Sequence, residues 1–433
     1  MRAGETQPEG AHNSPRALAH LKKRRARERR FRFMGLAAIL FAVGVLAWLL
    51  ISLVATGHTA FYQHTVQIEV KLDEALLDPT GAREREALRA QDYRGVVQRA
   101  LDERFPDIGA PEGRADLFAL VSASGASHAV RKRVYADPDL VGQSLTLRVP
   151  VSDDVDQWLK RYRSQDIPVD RRKVSDRQIK WIDALVSSGE IKARFNSTFF
   201  TATDSRDPEL AGIAGAFIGS IMALMIAVMV SAPIGIGAAI YLEEFAPRNR
   251  FTDFIEININ NLAAVPSIIF GLLGLAVFLN IAGMPRSAPL VGGLVLALMV
   301  LPTVIIAARA ALSAVSPSII NGALSLGASH TQAVFHQKLP LAAPGILTGT
   351  IIAMAQALGE TAPLLMVGMV AFITEVPSSV TEPASVLPVQ IFLWSDSIDP
   401  AWAERTSAAV LVLLVVLVSM NGLAVFLRSR LEK

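Results

Sequence analysis

Apolar residues are concentrated in six windows of about twenty residues that carry almost no charge. A helix rises about 1.5 Å per residue, so a window of this length crosses the roughly 30 Å hydrocarbon core of a bilayer. The pattern therefore predicts six transmembrane helices, at about 33–55, 211–232, 262–282, 289–308, 345–372 and 407–427.

The chain between the first two windows has a different pattern. Residues 65–72 and 144–151 alternate apolar and polar side chains, which is typical of strands. Residues 91–105 and 175–189 carry apolar side chains at helical spacing. We therefore expect an α+β domain over 56–207, inserted between the first and second transmembrane helices.

Composition supports a membrane protein, because 52% of the 433 residues are hydrophobic and 19% are charged, against roughly a quarter charged in soluble proteins. The absence of Cys excludes disulfides, thiol catalysis and Cys-based metal sites. His58, His64 and His128 are isolated from other candidate ligands, and we expect all three to be solvated surface residues. We predict no catalytic residues and no metal site, so the chain is not expected to be an enzyme.

A basic segment, LKKRRARERRFRF, precedes the first apolar window. Basic residues stay in the cytoplasm, so residues 1–32 are predicted to be a cytoplasmic tail. A signal peptide is the alternative, but its apolar region spans about 7–15 residues and no A-x-A site follows here. We favour an uncleaved anchor at 33–55. The 56–207 domain is then periplasmic, the 310–344 loop is cytoplasmic, and both termini lie in the cytoplasm of a bacterial inner-membrane protein.

The second apolar window runs on beyond 232 through Pro233, Gly235 and Gly237. Proline and glycine weaken a helix, so we expect a bend or break there, near the inner face.

The 310–344 loop contains a predicted helix–turn–helix. Gly327 supplies a left-handed position that ends the first helix, and Ser329 is the predicted N-cap of the second. Pro340 and Pro344 are expected to stop the second helix before the membrane. From the residues alone, the loop is either a docking element or an ordinary solvated connection.

This loop resembles the cytoplasmic coupling loop of ABC importer permeases, whose pattern is E-A-A-x(3)-G-x(9)-I-x-L-P. Four residues match the pattern at the right spacing: Ala323, Gly327, Leu339 and Pro340. Three depart from it: Asn321 and Gly322 stand where the pattern has Glu and Ala, and Gln337 stands where it has Ile. The resemblance implies that the loop docks on an ATPase subunit.

Longer segments are similar to the PstA-type permeases of phosphate ABC transporters, over about residues 195–430. The segments that carry this resemblance are AIYLEEFAPRNRFTDFIEININNLAAVPSIIFGLLGLAVF, LPLAAPGILTGTIIAMAQALGETAPLLMVGMVAF and VLPVQIFLW. The domain at 56–207 resembles an N-terminal extension found in some of these permeases. The implied fold is the all-α, six-helix type I ABC importer permease over 208–433, joined to an extracytoplasmic α+β domain.

The resemblance also implies the partners. A PstC-type second permease would share the pathway, a PstB-type ATPase dimer would bind ATP and Mg, and a PstS-type periplasmic protein would deliver phosphate. No G-x-x-x-x-G-K-[ST] motif occurs, so we expect no cofactor on this chain. ATP-driven closure of the ATPases would move the docked loop and give alternating access.

Glu360 lies inside the fifth apolar window, where a carboxylate costs about 2.5–3.5 kcal/mol and is expected to face protein or a pathway. Gln356 precedes it by one turn, Thr361 follows it, and Pro363 weakens the helix, so we expect an interior face or a local break. These polar residues are our candidates for the translocation pathway or its gate. Three roles stay open for Glu360: an ion pair at a gate or interface, a protonated acid, or a proton acceptor from hydrogen phosphate. Related permeases commonly carry Arg at position 356, so we favour a pair with a cation of the second permease.

Other charges near the inner face have two interpretations each. Glu243 and Glu244 either receive the ATPase or pair with Arg248 and Arg250, and we favour the local pairs. Arg309 is expected to extend to the inner headgroups rather than to contact substrate.

Two other functions compete with phosphate import. A permease for sulfate or a metal would share the fold, but the blocks ALGETAPLL and AAVPSIIFGLLG argue against it. A membrane-anchored sensor or scaffold would use the outer domain and would not need the coupling loop.

Overall fold

The computed structural model describes residues 15–431, apart from 80, 82, 90, 107–110, 164, 166 and 169–171. The chain divides into two units, 1–55 and 56–433. The first unit contains most of one long helix, α1 (Pro15–Gly57), with an apolar run that matches the first predicted window. The first fourteen residues of the predicted tail and the last two residues of the chain lie outside the described residues.

A three-stranded antiparallel sheet in the order β2–β1–β3 organises the α+β part of the second unit. The strands are β1 (Tyr62–Lys71), β2 (Ser144–Pro150) and β3 (Ile191–Phe195). The first two confirm the strands predicted from alternation. β3 escapes the prediction because it has five residues and one buried side chain, which give little signal.

Short helices precede and follow the strands of this sheet. Within the described ranges they are α2 (Glu74–Leu77), α3 (Arg85–Arg89), α4 (Tyr93–Arg104), α5 (Pro111–Phe118), α6 (Ala123–Ala136), α7 (Asp153–Gln157), α8 (Asp176–Ser187) and α9 (Ser197–Thr201). A π-helical turn at Trp158–Tyr162 continues α7, and 3₁₀ turns lie at His58–Phe61, Pro138–Leu140 and Pro208–Leu210. α4 and α8 confirm the two predicted helices. Val66 and Val70 of β1 are buried in one core with Val97 of α4 and Val130 of α6.

Glu209 is a buried acid in the turn that links this domain to the membrane helices. It is 6% exposed, and its Oε2 has no hydrogen-bond partner. Burial, with a smaller contribution from the charges of Asp153 and Asp207, raises the pKa of the Glu209 carboxyl to about 7. The folded protein therefore holds a proton here that an unfolded chain releases near pH 4.5.

The Glu209 carboxyl should make the protein less stable as the pH rises. The folded state binds more protons between the two pKa values, so stability falls through this window, by roughly 3 kcal/mol in total. We expect Glu209→Gln to be more stable than the parent at about pH 8 and nearly equal to it at about pH 5. Thermal unfolding of the full-length protein in detergent measures this, and a difference between variant and parent that does not change with pH would contradict it.

Five helices are long and apolar enough to cross a membrane, and a bent pair makes a sixth if it counts as one span, within the part of the chain that the structure describes. The continuous ones cover Lys22–Phe61, Ala214–Phe245, Pro289–Ser313, His330–Gly359 and Pro400–Arg430. The helices that follow the α+β domain, both the spans and the shorter helices between them, are α10 (Ala214–Ile240), α11 (Arg250–Ala263), α12 (Ser267–Gly274), α13 (Pro289–Ser313), α14 (Pro317–Ser325), α15 (His330–Ala333), α16 (Leu339–Gly359), α17 (Ala362–Met366), α18 (Leu387–Ser395) and α19 (Pro400–Leu431). With the bent pair counted as one span, the number of candidate crossings in the described residues equals the six predicted.

The prediction of a bend or break in the helix near Pro233 is wrong. α10 runs through Pro233 to Ile240 and continues as a π turn, Tyr241–Phe245. A membrane helix tolerates proline because neighbouring helices and local adjustments satisfy the freed backbone groups. Gly235 serves close packing, since a Cβ there would lie 2.8 Å from Val304 Cγ1 of α13.

The break falls instead in the third predicted window. α11 and the following helix, α12 with its π continuation to Ile281, meet at 99°. Pro266 is the N-cap of α12, and the residue before a proline is pushed away from helical dihedrals. The predicted span 262–282 therefore covers the second helix of a bent pair, whose first helix begins earlier, at Arg250.

Pro340 and Pro344 do not stop the second loop helix, which corrects another expectation. α15, a π turn at Val334–Lys338 and α16 form one continuous helix that crosses the membrane region and ends at Gly359. The π turn changes the hydrogen-bond register just before Pro340, where proline offers no N–H. The helix that corresponds to the fifth predicted span, 345–372, therefore begins and ends earlier than predicted.

α13 lies at the centre of the membrane core. It packs on α10 and α16, and its Val291, Val295 and Val300 are buried with Ala227 of α10 and Ala353 of α16. Small residues on the neighbouring helices allow this close approach.

Candidate functional site: the coupling loop and the Glu360 break

The first helix of the loop, α14, ends as predicted at Gly327, whose φ is +90°. The Ala328 N–H donates to Ala323 O at 3.1 Å, and the Gly327 N–H donates to Leu324 O at 3.0 Å. This pair of bonds is the Schellman motif, which needs a left-handed residue that glycine adopts without a steric penalty. The turn is thus fixed by backbone chemistry.

The second loop helix begins as predicted at Ser329. The Gln332 N–H donates to Ser329 Oγ at 3.2 Å, and the Ser329 N–H donates to Gln332 Oε1 at 2.9 Å. This capping box satisfies two backbone donors at the start of the helix. The loop is therefore a defined helix–turn–helix.

The predicted docking residues differ in their exposure to solvent. Asn321, Gly322, Gly327 and Pro340 are exposed, whereas Ala323 and Leu339 are half-buried. A Cβ at Gly322 would meet nothing within 4 Å, so its backbone is open to close approach by another chain.

An apolar tip, made of Leu324, Leu326 and Phe335, lies beside these residues and was missed by the sequence reasoning. Leu326 is 91% exposed, and Leu324 and Phe335 are 40% and 45% exposed. Exposed apolar side chains on one short loop are available for contact with another protein. A leucine next to the glycine that ends a helix was the available signal.

Two residues of the long loop helix hold it against the end of α10. Lys338 forms a largely buried ion pair with Glu244, and His330 Nε2 lies 3.0 Å from Glu244 O. The His330 ring packs edge-on against Phe245, with centroids 5.3 Å apart. Glu244 therefore pairs across 94 residues of sequence, not with Arg248 or Arg250 as expected.

Arg309 of α13 binds two acids. Its Nε lies 3.4 Å from Glu243 Oε2, and its Nη2 donates to Glu256 Oε1 at 2.8 Å. Ser313 Oγ also donates to Glu243, at 2.7 Å. These contacts correct the expectations that Arg309 extends to headgroups and that Glu243 pairs locally. Charge-assisted hydrogen bonds are stronger than neutral ones, so the two carboxylates hold the guanidinium in place.

Glu360 lies where α16 ends, which confirms the predicted local break. Its backbone is extended, with φ −77° and ψ +125°, and its N–H donates to Ala357 O at 3.3 Å. Glu360 and Thr361 form the link to α17, whose first turn contains Pro363. Both link side chains are half-buried, and Gln356, one turn earlier, is exposed.

The Glu360 carboxylate has neither an ion pair nor a side-chain hydrogen bond within the part of the chain that the structure describes. Arg309 is committed to Glu243 and Glu256. Arg286 is exposed in the loop before α13. No contact with Gln356 or Thr361 satisfies the carboxylate among the described residues, so these three predicted residues share a position along the chain rather than a bonded site.

Comparison with known proteins agrees with this architecture. The family described as "Binding-protein-dependent transport system inner membrane component" matches residues 231–433. Residues 18–169 match a domain of unknown function, DUF3333.

Similarity to individual proteins identifies a smaller group of permeases within this family. The chain is 31% identical over 235 residues to the phosphate transport system permease protein PstA of Xylella fastidiosa (strain Temecula1), covering 54% of this chain and 80% of that protein. It is 33% identical over 168 residues to the probable ABC transporter permease YqgI of Bacillus subtilis, covering 39% of this chain and 56% of YqgI. Among solved structures, an inward-facing MetNI methionine ABC transporter chain matches 51% of this chain and 96% of its own length, with 15% identity and a TM-score of 0.42.

The sequence match and the helical membrane core define a permease subunit of a binding-protein-dependent ABC importer, which is a non-catalytic membrane component. Within that class, the chain belongs to the PstA family of phosphate transport permeases. It is a multi-pass membrane protein of the type I ABC importer permease fold, with an additional α+β domain near its N-terminus.

Proposed function

We propose that this chain is the permease subunit of an ATP-driven importer of inorganic phosphate, acting by alternating access. The observation that carries the proposal is the match to PstA proteins over 80% of a relative's length. The family match at residues 231–433 includes both the coupling loop and the Glu360 break. The partners are a second permease, an ATPase dimer that holds ATP and Mg, and a periplasmic phosphate-binding protein.

The coupling loop supplies the mechanical connection in this proposal. The tip of Leu324, Leu326 and Phe335, together with the open backbone at Gly322 and Gly327, supports docking on an ATPase subunit. Because α15 and α16 are one continuous helix, a displacement of the docked end is carried directly toward Glu360. The Lys338–Glu244 pair carries the same displacement to α10.

Glu360 is proposed to act at the gate of the pathway. A carboxylate repels phosphate, so it is a poor direct anion ligand. An unpaired carboxylate in a membrane span is costly, which favours a cation contributed by the second permease. The proposed topology places both termini and the 310–344 loop in the cytoplasm and the α+β domain in the periplasm.

Reconstitution tests the proposed substrate. This chain is co-expressed with a PstC-type permease, a PstB-type ATPase and a PstS-type binding protein, and the complex is placed in vesicles that contain ATP. We expect uptake of labelled phosphate that requires ATP and this chain, and no uptake of sulfate or divalent metal. Transport of one of those solutes instead of phosphate would reject the proposed substrate while keeping the permease class. The lack of any neighbouring genes for an ATPase and a second permease would argue against the proposed assembly.

A further inference from the structure

Four charged side chains are buried together where the α+β domain meets α19. Asp156 and Lys160 come from α7 and its π continuation, and Glu404 and Arg405 come from the first turns of α19. Lys160 Nζ lies 2.7 Å from both Asp156 Oδ2 and Glu404 Oε1, and its side chain is 0% exposed. The two partners are 5% and 1% exposed. Lys160 thus bridges the domain and the membrane helix.

Surrounding groups complete the hydrogen bonds of the two carboxylates. Gln157 Nε2 donates to Glu404 Oε2 at 2.5 Å. Arg161 lies 3.8 Å from the same oxygen and donates to Thr56 O at 3.2 Å. Buried charges are tolerated when they are both paired and hydrogen-bonded. The pairs formed by Lys160 and Gln157 with Glu404 thus connect the domain directly to α19.

His64 of β1 belongs to this network, which corrects the expectation of an isolated surface histidine. Its Nδ1 lies 2.8 Å from Asp156 Oδ1, and its backbone N–H donates to the same oxygen at 3.0 Å. The central strand of the sheet is thereby connected to α7, so the network reaches the domain core.

Arg405 provides a second buried cation on the α19 side. It is 3% exposed and lies within electrostatic reach of Glu404, Asp156, Glu209 and Asp153. Its guanidinium lies 5.9 Å from the centre of the Phe199 ring. These acids offset part of the cost of burying the guanidinium, whose Nη1 has no hydrogen-bond partner.

The interface also contains a close backbone approach and an exposed ion pair. A Cβ at Gly57 would lie 2.8 Å from Ala408 N, so only a residue without a side chain fits. At the rim, Lys173 Nζ lies 2.9 Å from Asp399 Oδ2 just before α19. α19 then packs on α16, the helix that ends at Glu360. A continuous packed path therefore joins the domain to the proposed gate.

We propose that the α+β domain is a clamp on the outer end of α19, and that domain and helix move as one body during transport. Lys160 and Glu404 are positioning residues in this clamp. The clamp assigns a role to the domain that matches DUF3333. The effect on transport rests on the proposed function, whereas the rigid attachment can be measured without it.

Cross-linking tests whether the two parts move together. The chain has no Cys, so Lys173→Cys with Asp399→Cys gives a unique exposed thiol pair across the interface, to be joined by a short cleavable linker. We expect the linked complex to keep its phosphate uptake within about twofold of the unlinked complex. Arg104→Cys with Glu190→Cys is the matched control, because that ion pair, 2.7 Å long, lies wholly inside the domain. Loss of uptake on linking, with recovery on cleavage of the linker, would overturn the one-body proposal.

Neutralisation tests whether the charges form the clamp. Glu404→Gln and Lys160→Met should each raise the rate of amide hydrogen exchange by about tenfold or more, both in residues 153–162 and in residues 400–409. The exchange rates at the centre of β1 should not change. Each variant should lower uptake by a similar factor, and the double variant should recover part of the losses of Lys160→Met, because the Glu404 carboxylate is then no longer buried without its lysine. The clamp would be rejected if exchange became faster in only one of these two segments, or in neither. This result does not depend on which solute the protein transports. If exchange rises on both sides while phosphate uptake is absent from the parent as well, the clamp stands and the proposed function fails.

Discussion

Replacing Gly327 with leucine is expected to lower phosphate uptake by at least about tenfold while ATP hydrolysis continues and the membrane helices still assemble. Gly327 has a φ of +90°, a conformation that costs a residue with a Cβ roughly 1–2 kcal/mol. The Schellman turn between α14 and α15 would be distorted, and a bulky side chain would enter the surface proposed to dock on the ATPase. The ATPase cycle would then no longer move the helix that leads to Glu360.

A comparison of two glycines separates distortion of the turn from loss of docking. Gly322 is helical, and a Cβ at this position would meet nothing within 4 Å, so Gly322→Leu adds the same side chain without backbone strain. If docking matters, Gly322→Leu also lowers uptake. Asparagine tolerates left-handed dihedrals, so Gly327→Asn should lower uptake less than Gly327→Leu does. Uptake by Gly327→Leu equal to that of the parent in reconstituted vesicles would refute the docking role.

Replacing Glu360 with glutamine should also lower uptake by at least about tenfold. The substitution keeps the shape of the side chain at the end of α16 and removes its charge, so it abolishes an ion pair or a proton-accepting role. The measurement is the initial rate of labelled phosphate uptake, with the amount of assembled complex determined by size-exclusion chromatography.

Glu375→Gln is the matched control for Glu360→Gln. Glu375 is an exposed acid in the connection before α18, and its neutralisation should leave uptake unchanged. If Glu360 pairs with a cation of the second permease, neutralising that cation as well should add little further loss. Uptake at the parental rate in Glu360→Gln would reject both the ion pair and the proton acceptor.

The helix and strand patterns of this chain follow from local sequence. Alternation over 65–72 and 144–151 predicts β1 and β2, and the apolar windows predict the membrane helices, because periodicity and length are properties of neighbouring residues. Gly327 and Ser329 also act within a few residues, through a left-handed turn and a capping box. These features of the loop were therefore predictable.

Proline was the least reliable local signal. Pro233, Pro340 and Pro344 lie inside continuous helices, whereas Pro266 begins a helix after a 99° bend. The same residue type gives opposite results because the packing around it, and the π turns nearby, decide whether the freed backbone groups are satisfied. Sequence alone does not contain that packing.

Local sequence predicts the membrane class, the α+β insertion and the local form of the coupling loop. The partners of the charged residues follow from the folded chain alone. The pairs are Lys338 with Glu244, Arg309 with Glu243 and Glu256, and Lys160 with Asp156 and Glu404. Lys160 and Glu404 are 244 residues apart in sequence. Because an ion pair depends on which helices approach each other in space, and no local period records that approach, these connections appear only in the folded chain.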